Sequence, residues 1–187
     1  GTWFHLSTIH DGWFGSMDKG WYHDSADGRW YYLNLLTGAM LTGWQQIDGE
    51  WYHFSESGAL QIGWFSDGDK FYYAAPDGTM QTGWLDDSGS LYYLNKDGSM
   101  QTRWLMLEGN WYFLGDDGVM EKGRQTVDSL NYYFGADGVM QTGWLKLDGK
   151  WYFLGQSGVM KTGWVQDSGK WYYFDARSEE RRVGKEC

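Results

Sequence analysis

One cysteine and one proline are all that the 187 residues contain of these two types. A single cysteine excludes an internal disulfide, and a single proline excludes collagen-like chains and proline-rich linkers. Long apolar runs are also missing, and the mean hydropathy is -0.61. The sequence therefore predicts no membrane-spanning helix.

Positive charge is scarce as well. Fifteen lysines and arginines stand against 25 acidic residues, which gives a formal net charge of -10. Such a chain has no basic stripe to neutralise phosphates, which argues against DNA and RNA as partners. The four histidines, His5, His10, His23 and His53, lack the spacing of metal ligands, so no metal site and no cofactor are predicted.

Signatures of catalysis are missing too. The sequence has no nucleophile elbow, phosphate-binding loop or zinc motif. The paired acids Asp86–Asp87 and Asp116–Asp117 fall in predicted turns, without a cavity to tune them for acid–base chemistry. We therefore expect a non-catalytic chain, with any catalytic domain of the full-length protein outside this fragment.

Aromatic residues and glycine are abundant: 20% of the residues are aromatic and 28 are glycine. Both are weak helix formers, so the composition predicts an all-β protein. Because large aliphatic residues are comparatively few, we expect the core to be built from aromatic rather than aliphatic side chains.

The chain repeats itself every 20 residues. The in-register units start at positions 44, 64, 84, 104, 124, 144 and 164, each with tryptophan except Arg124. Within a unit, an aromatic triplet follows, then a glycine, and two residues later a methionine or leucine. An upstream copy contains Trp21 and Trp30, so residues 21–176 are predicted to form about eight hairpin repeats, and residues 1–20 a degenerate first repeat.

Each repeat predicts one β-hairpin. In the unit that starts at Trp44, strands are expected over 44–47 and 51–54, with a turn over 48–50, because Asp-Gly tolerates positive φ. A lone hairpin is only marginally stable in water. We therefore expect the hairpins to stack into a solenoid that buries the rings of one unit against the next.

The same pattern predicts a cleft walled by aromatic rings. Trp44 and Trp51 lie on facing strands of one hairpin, and Tyr72 is expected on the face of the next hairpin that looks back at them. Three rings without a hydrogen-bond donor or an anion suit a quaternary ammonium group, which ring quadrupoles attract. Weak sites repeated along a rod suit a ligand that is itself repeated along a polymer.

The repeat resembles the choline-binding, or cell-wall-binding, repeat of Gram-positive surface proteins over residues 1–176. This resemblance implies a left-handed solenoid of hairpins that binds the choline of teichoic acids between successive hairpins. It also implies a secreted protein that is held at the bacterial cell wall. The function would be that of a tether.

Carried onto matching positions, the resemblance implies four competent choline sites. They are Trp44, Trp51 and Tyr72; Trp64, Phe71 and Tyr92; Trp104, Trp111 and Tyr132; and Trp144, Trp151 and Tyr172. Weaker candidates are Trp21, Trp30 and Tyr52, where the tryptophans are nine residues apart, and Trp84 with Tyr112. Met80 and Met120 are further candidates to line clefts, although packing is the commoner role of a methionine column.

Three repeats depart from the pattern. Leu91 replaces one wall of its unit, and Arg124 and Asn131 replace both walls of another, where a guanidinium is expected to repel a cation. Trp164 and Trp171 have no following hairpin, so their cleft is expected to be open.

Two other functions remain open. Similar repeats occur in the glucan-binding regions of glucosyltransferases and in the carbohydrate-binding repeats of clostridial toxins, and flat rings stack on sugars as well as on ammonium groups. The paired tryptophans favour choline. A ligand-free spacer stalk is the third possibility, in which the tyrosines only pack; the oligomeric state stays open.

The aromatic rhythm stops at Arg177. Residues 177–187 resemble the in-frame translation of a sequencing adaptor rather than native sequence, in which case Cys187 has no biological role.

Overall fold

The computed structural model describes residues 19–175 and 180–181. The degenerate repeat predicted at 1–20 and the tail predicted at 177–187 lie mostly outside these residues. Over the described part the regular structure is β-strand, without a helix that could span a membrane. The strands are β1 (Gly20–Asp24), β2 (Arg29–Leu33), β3 (Gly43–Ile47), β4 (Glu50–Phe54), β5 (Gly63–Asp67), β6 (Lys70–Ala74), β7 (Gly83–Asp87), β8 (Ser90–Leu94), β9 (Arg103–Leu107), β10 (Asn110–Leu114), β11 (Gly123–Val127), β12 (Leu130–Phe134), β13 (Gly143–Leu147), β14 (Lys150–Leu154), β15 (Gly163–Asp167), β16 (Lys170–Phe174) and β17 (Glu180–Arg181).

Consecutive strands pair into eight hairpins, one for each predicted repeat from Trp21 onward. Each hairpin is a two-stranded antiparallel sheet, and β17 adds a third strand to the last one by pairing with β16. The predicted all-β class of hairpin repeats is confirmed. The handedness of the solenoid stays a prediction.

The hairpin turns follow from their sequence. Asp48 and Gly49 have φ angles of 53° and 94°, and positive φ at both central residues is the mark of a two-residue type I′ turn. Glu50, which the sequence analysis placed in the turn, is the first residue of β4 and pairs with Ile47. The prediction was one residue too long, because a type I′ turn needs only two residues to reverse the chain.

Backbone hydrogen bonds link six of the eight described hairpins, the second to the seventh, each to the hairpin before it. The N–H of Leu60 donates to the carbonyl of Trp30 at 2.8 Å, and the N–H of Met80 donates to the carbonyl of Trp51 at 2.8 Å. The same bond recurs from Met100 to Phe71, Met120 to Leu91, Met140 to Trp111 and Met160 to Asn131. Because these donors lie two residues after the repeat glycine, each of these six repeats carries its own attachment point.

The most deeply buried residues occupy one position of the repeat and include both aliphatic and aromatic side chains. The last residue of each second strand has almost no exposed surface, and this column consists of Leu33, Phe54, Ala74, Leu94, Leu114, Phe134, Leu154 and Phe174. Four leucines and one alanine share this column with three phenylalanines, so the core is mixed and the expectation of an aromatic rather than aliphatic core holds only in part. The connector folds back over these strand ends, as the isolated bridges Leu33–Met40 and Phe54–Leu60 show.

The structure divides into two compact units. One comprises the residues up to Leu85 together with Tyr93–Met100, and the other comprises Asp86–Tyr92 together with the residues from Gln101 onward. The division runs within the hairpin of β7 and β8.

Candidate functional site

The strand register places Trp44 and Trp51 on the same face of their hairpin. Trp51 pairs directly with Gln46, which lies two residues after Trp44 on β3 and therefore shares its face. The two indole rings have centroids 6.5 Å apart and planes at 78°. Tyr72 of the following hairpin closes the third side, 4.8 Å from Trp44 at 65°. We call this arrangement the Trp44 cleft.

Solvent exposure decreases across the Trp44 cleft from Trp51 to Tyr72. Trp51 is 42% exposed, Trp44 is half-buried, and Tyr72 is 8% exposed. Burial raises the pKa of the Tyr72 hydroxyl, so this ring stays neutral over the physiological range. The cleft thus has an open outer wall and a buried floor.

The second unit holds two clefts of the same geometry. In the Trp104 cleft, Trp111 lies 6.1 Å away at 89° and Tyr132 lies 4.9 Å away at 70°. In the Trp144 cleft, the ring centroid of Trp151 lies 6.1 Å from that of Trp144 with the planes at 87°, and that of Tyr172 lies 4.6 Å away with the planes at 74°. The structure therefore brings together three of the four residue triplets predicted as competent sites.

A fourth cleft forms where only a weak candidate was expected. The ring centroid of Trp21 lies 6.4 Å from that of Trp30, with the ring planes at 81°. It lies 5.0 Å from that of Tyr52 in the next hairpin, with the planes at 71°. The extra two residues of spacing lie in a four-residue loop over 25–28, which the N–H of Gly28 closes onto the carbonyl of Asp24. Longer spacing therefore does not separate the walls, and this Trp21 cleft matches the others.

Two predicted combinations join residues of different units and stay predictions. They are Trp64 and Phe71 with Tyr92, and Trp84 with Tyr112. Within their own unit, Trp64 and Trp84 each contact a tyrosine of the same hairpin edge-on at 5.2 Å, and Phe71 is 52% exposed.

Trp164 and Trp171 form the most open pair. Their ring centroids lie 6.5 Å apart at 83°, and each indole is 58% exposed. The right angle between two tryptophans is thus set by the hairpin itself and does not need a third ring.

Arg124 occupies the slot of the missing tryptophan. Its guanidinium carbon lies 5.7 Å from the ring centroid of Tyr152, which corresponds to Tyr72 in the Trp44 cleft. Asn131 accepts a hydrogen bond from the Thr126 hydroxyl at 2.8 Å in place of the second indole. A cation of the chain itself therefore lies over the floor of this slot.

Three charged groups near the clefts do not follow from the sequence pattern. The Nε1–H of Trp44 donates to Asp67 Oδ2 at 2.8 Å, and that of Trp144 donates to Asp167 Oδ2 at 3.0 Å. The expectation of clefts without an anion is wrong for these two. Lys146 extends its Nζ to 5.5 Å from the ring centroid of Trp151. An aspartate 23 residues after the tryptophan is the only sequence signal for the carboxylates.

The methionines pack against glycines of the next repeat. Met80 fills the space above Gly98, and Met120 fills the space above Gly138, so that neither glycine has room for a Cβ. Met120 is 6% exposed. The packing role is therefore shown for both methionines, and a role in lining a cleft stays a prediction.

His53 stands where other repeats have tyrosine or phenylalanine. Its ring stacks on Phe65 at 4.8 Å and 16° and contacts Trp44 at 4.9 Å. Its Nδ1 is buried without a hydrogen-bond partner, and burial lowers the pKa of His53. A neutral imidazole therefore acts as one more ring behind the Trp44 cleft. Among the described residues no three His, Cys, Asp or Glu side chains are grouped to hold a metal ion.

Sequence comparison identifies two repeat families. The model described as choline-binding repeat matches residues 41–81, 121–162 and 142–185, and the model described as putative cell wall binding repeat matches 19–35, 82–100 and 102–120. A search of curated proteins found no significant match.

Solved structures of similar proteins come from Streptococcus pneumoniae. The crystal structure of choline binding protein F is 33% identical with a TM-score of 0.79, over 89% of this chain and 58% of that chain. The same protein in the presence of a peptidoglycan analogue, a tetrasaccharide-pentapeptide, gives 33% identity and a TM-score of 0.80 over the same shares of both chains. The modular autolysin LytC is 29% identical with a TM-score of 0.60, over 90% of this chain and 40% of that one. This chain therefore spans a little over half the length of choline binding protein F.

Proposed function

Since this chain belongs to the choline-binding repeat family, we propose that it is a wall-binding module that holds the choline of teichoic acids between aromatic rings. The module tethers a secreted protein to the surface of a Gram-positive bacterium. Its partner is choline-decorated teichoic acid, and the repeats themselves carry out no reaction.

The observation that carries the proposal is the right angle between the two tryptophans of a cleft. In the Trp104 cleft the indole planes meet at 89° and in the Trp144 cleft at 87°. Two perpendicular faces over a tyrosine floor form a corner for a compact group such as trimethylammonium. That group donates no hydrogen bonds, so ring faces are its natural partners.

The position of Arg124 supports the proposal that the ligand of the other clefts is a cation. Here the chain places its own guanidinium over Tyr152, the ring that forms the cleft floor in other repeats. A ring in this setting thus attracts positive charge, whereas the resident guanidinium is still expected to repel an incoming cation from this slot.

The strength of one site follows from the number of rings. A cation–π contact contributes about 0.5–2 kcal/mol, so three rings give about 1.5–6 kcal/mol, and about 4 kcal/mol corresponds to a dissociation constant near 1 mM. Because the outer walls are exposed, Trp51 at 42% for example, the upper end of this range does not apply. Several such sites on one chain bind a choline-bearing polymer tightly through avidity.

A polysaccharide is the alternative ligand. Phe71 and Trp171 are 52% and 58% exposed and offer open ring faces on which a sugar can stack. This alternative predicts binding that does not depend on a positive charge in the ligand.

Titration of the whole chain separates these functions. We expect tryptophan fluorescence to change saturably with millimolar choline, and choline to elute the protein from a tertiary-amine resin. Combining Trp51→Ala, Trp111→Ala and Trp151→Ala weakens both responses, whereas Trp171→Ala, which removes an exposed indole outside the three-ring clefts, is the matched control. A response to dextran or N-acetylglucosamine oligomers alone would support the polysaccharide, and no response to any ligand would support a spacer stalk.

A further inference from the structure

A carboxylate is built into two of the four clefts. Asp67 accepts the Nε1–H hydrogen bond of Trp44 at 2.8 Å, and Asp167 accepts that of Trp144 at 3.0 Å. Each aspartate is the last residue of the first strand of the following hairpin, the same hairpin that supplies the tyrosine floor. The next hairpin thus delivers a ring and a negative charge together.

The other two clefts have an apolar residue at this position. At the end of β11, Val127 is 5% exposed, and Trp104 packs against its cluster. At the end of β3, next to the Trp21 cleft, the corresponding residue is Ile47, which is 7% exposed. The four clefts described above therefore divide into two acidic and two apolar ones with nearly the same ring geometry.

A carboxylate at the indole N–H has two physical effects. A charge-assisted hydrogen bond holds the ring in one orientation, and it polarises the indole so that the ring face becomes more attractive to a cation. The carboxylate also adds its own Coulomb attraction, which acts on a charged ligand and leaves a neutral one unaffected.

Neighbouring cations leave this charge in place at Asp67. Lys70 pairs with Asp67 across the strands, yet its Nζ lies 3.0 Å from Asp97 Oδ2. In the Trp144 cleft, by contrast, the ammonium of Lys146 lies over Trp151, where the Trp44 cleft has Gln46. The Trp44 cleft is therefore the better place to measure the effect.

We propose that Asp67 and Asp167 are specificity-determining residues that make two clefts selective for cationic ligands over neutral ligands of the same shape. This inference rests on the proposed function, because it assumes that the clefts bind a quaternary ammonium. It goes beyond that function by dividing the clefts into two classes with different selectivity.

The experiment compares choline with 3,3-dimethylbutan-1-ol, its neutral analogue in which carbon replaces the ammonium nitrogen. The substitution Asp67→Asn keeps an oxygen that accepts from the indole N–H and removes the charge. Titrations are followed by the assigned indole N–H resonances of Trp44 and Trp104, so that each cleft reports its own affinity. The Trp104 resonance, next to Val127, is the internal control.

We expect Asp67→Asn to weaken choline binding at Trp44 about threefold, with less effect in about 1 M salt, because screening shortens the reach of the charge. The affinity for dimethylbutanol at Trp44 and both affinities at Trp104 stay unchanged. Asp67→Val, which copies the Trp104 cleft, lowers the ratio of choline to dimethylbutanol affinity at least as far. An unchanged ratio in both variants, with choline still bound, overturns this inference alone. If the unsubstituted chain shows no saturable choline shift, the proposed function fails as well.

Discussion

Replacing Gly138 by alanine tests how one repeat is packed against the next. Gly138 has a φ of 79°, and an added Cβ would lie 2.6 Å from Cε of Met120. Met120 is 6% exposed, so its side chain cannot move aside without losing buried contacts. We expect Gly138→Ala to lower the free energy of unfolding by about 1 kcal/mol because alanine adopts a positive φ, and by about 1–2 kcal/mol more because Met120 is displaced. The second loss is modest because a flexible thioether adapts better than a branched side chain.

Gly143→Ala is the matched control for this substitution. Gly143 has a φ of 76°, and an added Cβ meets nothing within 4 Å. Gly143→Ala is therefore expected to lower the free energy of unfolding only by the cost of alanine at positive φ, about 1 kcal/mol. At the corresponding position of another repeat, Arg103 adopts a φ of 63°, so the fold accepts a side chain there. The free energy of unfolding of both variants is measured by urea denaturation with circular dichroism.

A double substitution shows whether Met120 causes the difference. In a Met120→Ala background the space above Gly138 is empty, and Gly138→Ala is expected to be as mild as Gly143→Ala. Equal losses for Gly138→Ala and Gly143→Ala in the native background would refute the packing argument. The repeat glycine would then be required by its backbone angle alone.

Two further predictions concern single repeats. Arg124→Trp combined with Asn131→Trp rebuilds both walls beside Tyr152, and equilibrium dialysis is expected to find one more choline site; unchanged stoichiometry would count against the three-ring cleft. His53 is held neutral because burial lowers its pKa below the ordinary value of 6.5. The unfolded chain takes up the proton first, so the stability that the neutral ring contributes is lost as the pH falls below 6.5 through the lowered pKa. His53→Phe, which copies Phe113, should remove this loss in denaturation midpoints measured between about pH 7 and pH 5, and identical pH profiles would contradict it.

The hairpins were predictable because their determinants are local. The pair Asp48-Gly49 specifies its turn without reference to the rest of the chain, and strand alternation then assigns Trp44 and Trp51 to one face. The floor tyrosine was also predictable, because only one face of the next hairpin looks back. A strict period repeats these local rules in every unit.

Contacts that depend on how one hairpin sits on the next were not predictable. The 23-residue spacing from Trp44 to Asp67 recurs at Trp144 and Asp167, but it does not by itself show that the carboxylate reaches the indole. Nor does the spacing of the repeat by itself show that Met80 covers Gly98. The ring geometry of the Trp21 cleft was underestimated for a related reason. A spacing rule counts residues along the chain, whereas the loop over 25–28 absorbs the extra length outside the sheet.

The repeat that starts at Arg124 separates the scaffold from the binding residues. It lacks both tryptophan walls, yet Phe134 is fully buried, Met140 donates its backbone bond to Trp111, and Gly138 is covered by the preceding methionine. The positions that build a hairpin stack are therefore different from the positions that wall a cleft. A repeat can lose both tryptophan walls without losing its place in the stack. The number of predicted ligand sites therefore follows from the number of clefts that have these walls and not from the number of hairpins.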